Sequence, residues 1–165
     1  MKAIALSLAV ILPSAGIAQD LNFDIADTTY CLSASGTYAE MESCIGAAAN
    51  ACMSATDMGS TTIGMSSCID RELTFWDGRL NASYQDLRAK EQREDADYGS
   101  ALGYVKQATA LREMQRAWIA YRDATCDYER AQWGGGTGGG PATVGCLMRM
   151  TAEQALYLEQ MMVDY

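Results

Sequence analysis

The clearest pattern in the chain is an apolar stripe, Ile69, Leu73, Trp76, Leu80, Tyr84 and Leu87, at spacings of 4, 3, 4, 4 and 3. Those residues share one face of a helix, while Asp70, Arg71, Asp77, Arg79, Gln85, Asp86 and Arg88 fall opposite. The pattern predicts a long amphipathic helix from near Met65 to Arg93, which Gly78 weakens by about 1 kcal/mol relative to alanine. Glu94 to Ser100 is acidic, ends in Gly99-Ser100 and reads as a break. A second stripe, Val105, Ala108, Leu111, Met114, Trp118, Tyr121, Thr125 and Tyr128, predicts a second long helix over Ala101 to Gln132. Six glycines in the seven residues from Gly134 to Gly140, followed by Pro141, read as a loop.

A last helix is predicted over Leu147 to Met162, with Ala155, Leu158 and Met162 inward. Thr151 and Gln154 have capping-box spacing, in which case a new helix opens at Thr151. Upstream, Gln19 to Ser35 reads as an irregular lead-in, Tyr38 to Met53 as alanine-rich helix, and Ala55 to Thr62 as a loop. No useful length alternates with period two, so no sheet is predicted.

Composition narrows the chemistry. The chain has 165 residues, enough for one domain or one with an extension, and 49% of them are hydrophobic, enough for a core. Twelve Lys and Arg against 21 Asp and Glu give a net charge of −9, a poor match for nucleic acid. There is no histidine, which removes the commonest general base and metal ligand and rules out a Ser-His-Asp set. Carboxylate pairs abound in so acidic a chain and mark no glycosidase site. The reading is a non-enzymatic protein without cofactor or metal. Met161-Met162 is too thin a cluster for copper.

Residues 1–18 read as a signal peptide: Lys2, then the apolar run Ala3 to Leu12 broken by Ser7, Pro13, and the small-x-small site Gly16-Ile17-Ala18. The run is shorter than the roughly 20 residues an anchor needs. Cleavage before Gln19 leaves 147 residues and a charge of −10. The first cysteine is Cys31, which argues against a lipoprotein anchor. A periplasmic or secreted product follows.

Cys31, Cys44, Cys52, Cys68, Cys126 and Cys146 all lie beyond that segment, and an oxidising compartment favours disulfides. Spacing suggests three sequential clips, Cys31–Cys44, Cys52–Cys68 and Cys126–Cys146, although sequence alone does not choose among the pairings. Zinc and redox-dithiol readings fail because there is no CxxC pair and no histidine. The fold class is therefore all-α: a small disulfide-linked helical bundle with two long amphipathic helices and a glycine-rich helix–helix loop.

The glycine loop lacks the lysine of a P-loop, since Pro141-Ala142-Thr143 follows it, and a helix rather than a strand precedes it. It reads as a helix–helix connection. Exposed loops also insert into clefts, so Trp133, Gly135, Gly136 and Thr137 are the candidates for a partner contact. Trp76, Trp118, Tyr84 and Tyr121 sit at stripe positions and read as core. Arg122 and Asp123 point about 100° apart and are not expected to pair. Arg122 is expected to meet an acid on the neighbouring helix, Asp77 or Asp86.

Four blocks carry a resemblance. They are Leu80-Asn81-Ala82-Ser83-Tyr84, the run from Leu111 to Cys126 containing Gln115-Arg116-Ala117-Trp118-Ile119-Ala120-Tyr121-Arg122-Asp123, then Gly135-Gly136-Thr137, then Cys146-Leu147-Met148-Arg149-Met150-Thr151. In order and spacing they resemble the LprI-type lysozyme inhibitor domain of bacterial envelope proteins, over about Cys52 to Met162. The resemblance implies an all-helical, disulfide-linked, exported domain over residues 52–165, with 19–51 an N-terminal extension carrying the Cys31–Cys44 clip. It implies lysozyme as partner, a basic protein toward which an acidic chain is steered. Leu80, Asn81, Tyr84, Gln115, Arg116, Trp118, Tyr121, Arg122 and Asp123 carry over as structural motif residues. The other reading is an envelope structural or interaction module without lysozyme activity.

Overall fold

The computed structural model of the protein describes residues 21–99, 101 and 103–163. The expected signal segment lies outside them. The described residues form six helices and no strand: α1 Ala26–Ala34, α2 Tyr38–Ser43, α3 Ala47–Ala55, α4 Thr62–Tyr98, α5 Gln107–Ala131 and α6 Gly139–Val163. The last three build the bundle. α5 returns antiparallel to α4, and α6 runs beside α4 in the same direction, making the most extensive helix pair. Trp76, Leu80, Leu87, Leu156 and Leu158 fill the seam, and Ala152 and Ala155 let the two backbones approach.

The α4 stripe is the buried face, with Leu73 and Tyr84 at its margins. Several expected boundaries differ. The lead-in contains a real helix, α1, closed against α3. The alanine-rich segment is two helices, because Gly46 at φ 91° turns the chain between α2 and α3. α4 continues through the acidic run to Tyr98, and α5 starts six residues later than its stripe suggests. There are three long helices rather than two, because α6 starts at Gly139. Pro141 falls in its first turn, where a missing N–H breaks no helical bond. The Thr151–Gln154 capping box does not form: both residues lie mid-helix and buried, and Gln154 Nε2 donates to Gln115 Oε1 at 3.0 Å.

Three disulfides join sequential cysteines, Cys31–Cys44, Cys52–Cys68 and Cys126–Cys146. The first closes α1 onto the end of α2, the second α3 onto α4, and the third α5 onto α6.

Two carboxylates on α4 cap other helices from a distance. Glu72 is fully buried. Its Oε1 accepts from Thr28 Oγ1 at 3.0 Å, Gly46 N at 2.8 Å and Trp76 Nε1 at 3.0 Å, and its Oε2 accepts from Ala49 N at 2.7 Å. Thr28 Oγ1 in turn accepts from Ala48 N at 3.0 Å. The free N–H groups at the start of α3, whose own N-cap is a glycine without a side chain, are thus satisfied from α1 and α4.

Asp95 does the same for α5, accepting from Gln107 N at 2.7 Å, Ala108 N at 3.1 Å and Tyr104 Oη at 3.0 Å. Desolvation pushes the Asp95 pKa up, but these three hydrogen bonds and the charge of Lys106 outweigh it and hold it below the ordinary value. A lowered carboxylate pKa stabilises the fold above the unfolded-state pKa and loses that contribution as pH falls through the folded one. Asp95→Asn should therefore melt lower than the parent at neutral pH, with the gap closing in acid. Parallel melting curves from pH 7 to 2 check this. A gap independent of pH would refute it.

Arg79 was expected on the solvent face. It is half-buried, its guanidinium 5.6 Å from the Trp76 ring centroid. It makes a two-pronged pair with Glu159, Nη2 to Oε2 at 2.8 Å. The parallel approach of α6 supplies that acid, which no pattern within α4 foretells.

Candidate functional site: the clipped glycine loop

The C-terminal end of α5 runs into consecutive turns. Trp133 N donates to Arg130 O at 3.1 Å, Gly136 N to Trp133 O at 2.8 Å and Gly139 N to Gly136 O at 3.1 Å. Gly135 sits at φ 86°, in the left-handed region that residues with a Cβ avoid. Gly138 serves a different purpose. A Cβ there would lie within the Trp133 six-membered ring, against Cζ3 and Cε3, so the indole rests on the Gly138 backbone. Trp133 is thus seated by the loop it opens, yet 53% of its surface is exposed. The Cys126–Cys146 bond closes the base of the loop, with both sulfurs against the buried Met150 thioether, at 4.0 and 3.9 Å.

Two shallow depressions flank the loop. One, of 360 Å³, brings Gly135 and Gly136 to Asp127 and Arg130. The other, of 510 Å³, brings Thr137 to Thr62 and Ile63 at the start of α4. Ile63 is exposed, so this end of the bundle presents the apolar side chains of Trp133 and Ile63 among backbone, hydroxyl and charged groups, Asp127 and Arg130 included. Sequence reasoning found Trp133, Gly135, Gly136 and Thr137. It missed Arg130, one turn before Trp133 on α5, and Ile63, which joins them only because α4 and α6 start side by side.

The other motif residues divide. Leu80 is core, Tyr84 and Trp118 pack at its edge, and buried Gln115 bonds Gln154. Asn81 is exposed and donates to Asp77 Oδ2 at 3.0 Å. Arg116 and Asp123 are exposed.

Tyr121 is 64% exposed, against the expectation that it lies in the core, and Tyr128 and Val105 are exposed too. The inward face of α5 runs Leu111, Gln115, Trp118, Arg122, Cys126, because the bond to Cys146 fixes the helix's rotation. Arg122 therefore takes the inward position. Its guanidinium lies 5.0 Å from the Trp118 ring centroid, and Nη1 donates to Thr151 Oγ1 at 3.4 Å. It pairs with Asp123 after all, Nη2 to Oδ1 at 2.8 Å and Nε at 3.0 Å, since the long side chain spans the angle between neighbours. Neither Asp77 nor Asp86 is its salt-bridge partner. Asp77 borders the same 310 Å³ depression as Arg122 but holds Asn81.

Among the described residues no group of three or more Cys, Asp or Glu is placed to hold a metal ion, and no helix is long and apolar enough to cross a membrane. The surface here is a disulfide-clipped helical scaffold presenting a glycine loop with a seated aromatic. The chain belongs to the LprI lysozyme inhibitor family, whose match covers residues 52–158. It is also similar to an uncharacterised protein of Rhizobium meliloti (strain 1021), 31% identical over 58% of this chain and 69% of the relative. A second relative, an uncharacterised 17.7 kDa protein in the puhA 5′ region of Rhodobacter capsulatus, is 26% identical over 96% of both chains. No solved structure matches.

Proposed function

We propose that this protein is exported and binds lysozyme-type muramidases, blocking them by steric occlusion without chemistry of its own. The observation that carries the reading is Trp133, half exposed and already ordered on a disulfide-closed loop. An aromatic anchor held in its bound position loses little entropy on binding, the property of an interface hot spot. Arg130 beside the loop suits a cleft whose catalytic groups are paired carboxylates. Family membership supports the partner class, and the chain's net charge of −9 favours encounter with a basic protein. Three disulfides agree with an oxidising compartment outside the cytoplasm.

The test is muramidase activity on cell walls, titrated with the oxidised protein at low and physiological salt. Stoichiometric inhibition should persist at physiological salt. Trp133→Ala should weaken it by about 30-fold, the scale of a 2 kcal/mol hot spot, without lowering the melting temperature. Gly138→Ala, which keeps the indole but removes its seat, should weaken it less. Inhibition unchanged in Trp133→Ala would move the contact elsewhere on the molecule. No inhibition at physiological salt would leave the protein as an interaction module for another envelope partner.

A further inference from the structure

The outer face of α5 carries a stripe of its own, Ala117, Tyr121, Ala124, Tyr128 and Ala131, at spacings of 4, 3, 4 and 3. All five residues are exposed, so no described helix of this chain covers them. An alternating 4–3 repeat is the seam along which two helices pack lengthwise. Tyr121 and Tyr128 belong to the apolar period that predicts α5 from the sequence, yet the bundle buries neither. Charge also sets this helix apart. The chain has a net charge of −9, but α5 is balanced, with four arginines against four acids. Two acidic copies can therefore meet along α5 with little local repulsion.

The stripe is complementary to itself in one orientation. With a second α5 laid antiparallel on the first, Tyr121 faces the second copy's Ala124 and Tyr128 faces the second copy's Ala117. Both pairings belong to a single register, whose two-fold axis lies midway between positions 122 and 123. Every tyrosine then rests over an alanine, large into small. A parallel pair would stack tyrosine on tyrosine and leave alanine opposite alanine. The charges choose the same register. Arg116 and Asp127 lie on one flank of the stripe, and a two-fold brings that flank against itself, Arg116 within about 3 Å of the second copy's Asp127 along the axis. Both groups are exposed and weakly held: Arg116 reaches Glu113 only at 4.0 Å, and Asp127 has no ion pair among the described residues. We infer that the outer face of α5 binds a second copy of this chain in that antiparallel register. The two glycine loops then lie at opposite ends of the helix pair, about 30 Å apart along its axis. No loop residue belongs to the stripe, so the inference does not rest on the muramidase reading.

The experiment is sedimentation equilibrium of the oxidised protein at physiological salt. The seam is short, about 20 Å from Ala117 to Ala131, so a dissociation constant on the order of 10 to 100 µM is expected, and loading up to about 300 µM covers it. The parent should fit a monomer–dimer equilibrium. Ala124→Glu keeps a good helix former at an exposed position, and should stay monomeric throughout with an unchanged helical circular dichroism signal. Tyr121→Ala should weaken association at least about tenfold. Arg116→Glu and Asp127→Arg should each weaken it, and the two together should recover it to within about threefold, because the exchanged charges meet again only in the antiparallel register. A parent that is monomeric at the highest loading overturns the inference, as does a dimer that survives both Ala124→Glu and Tyr121→Ala. A double variant that recovers nothing overturns the antiparallel register. A monomeric parent whose muramidase inhibition falls in Tyr121→Ala would give this face to the muramidase instead.

Discussion

Glu72→Gln is expected to lower the stability of the oxidised protein by about 3 kcal/mol, the scale for breaking a buried, hydrogen-bonded charge. The carboxylate is fully buried and surrounded by donors: two backbone N–H groups, one hydroxyl and one indole N–H. It has no ion-pair partner among the described residues. The start of α3 supplies the compensating field, since the N-terminal N–H groups of a helix carry a partial positive charge. Glutamine keeps the shape and one acceptor, but its NH2 must face either Ala49 N–H or the three donors on the other oxygen. Every orientation sets donor against donor.

At roughly 3 °C per kcal/mol for a domain of this size, the melting temperature should fall by about 10 °C. The loss should be local before it is global. α1 to α3 should exchange amide hydrogens faster and become open to proteolysis, while the α4–α6 seam stays protected. An unchanged melting temperature would mean that Glu72 does not organise the N-terminal helices.

Removing the third disulfide, as Cys126→Ala with Cys146→Ala, should have a comparable effect by a different route. The bond closes a 20-residue separation, and restricting the unfolded chain over such a loop is worth about 3 kcal/mol. It also sets the rotation of α5 and the base of the glycine loop. The double variant should therefore lose stability and also bind a muramidase about tenfold more weakly, because the loop must be ordered at the moment of binding. Thermal denaturation and the inhibition titration read the two effects separately. A variant that melts lower but inhibits normally would show that the loop is ordered by its own turns and not by the clip.

The Glu72 and Asp95 contacts mark the limit of what local pattern reveals. A local cap leaves a signature at fixed spacing, as at Thr37 and Glu40, whose side chains cap α2 reciprocally. Glu72 and Asp95 act across 23 and 12 residues, at distances set by how α4 packs. In the sequence Glu72 is one acid among 21, and the α4 stripe runs past it without a gap. The candidate loop was legible because glycine density and a flanking tryptophan are local facts. Its neighbour Ile63 was not, because it arrives through the parallel pairing of α4 and α6.

By itself the sequence determined the helical class, the buried face of α4, the breaking of the chain at Gly134, and a motif set that matches one family. The first three rest on the 3.6-residue period or on glycine's conformational freedom, which act within a few residues, and the motif set rests on residue identities in order along the chain. The tertiary structure decided the rest. It turned α5 so that Arg122 faces inward and Tyr121 outward, and used two α4 carboxylates to cap α3 and α5. Those outcomes depend on which helices meet and at what rotation, which is settled by packing and by the Cys126–Cys146 bond, not by any single segment's pattern.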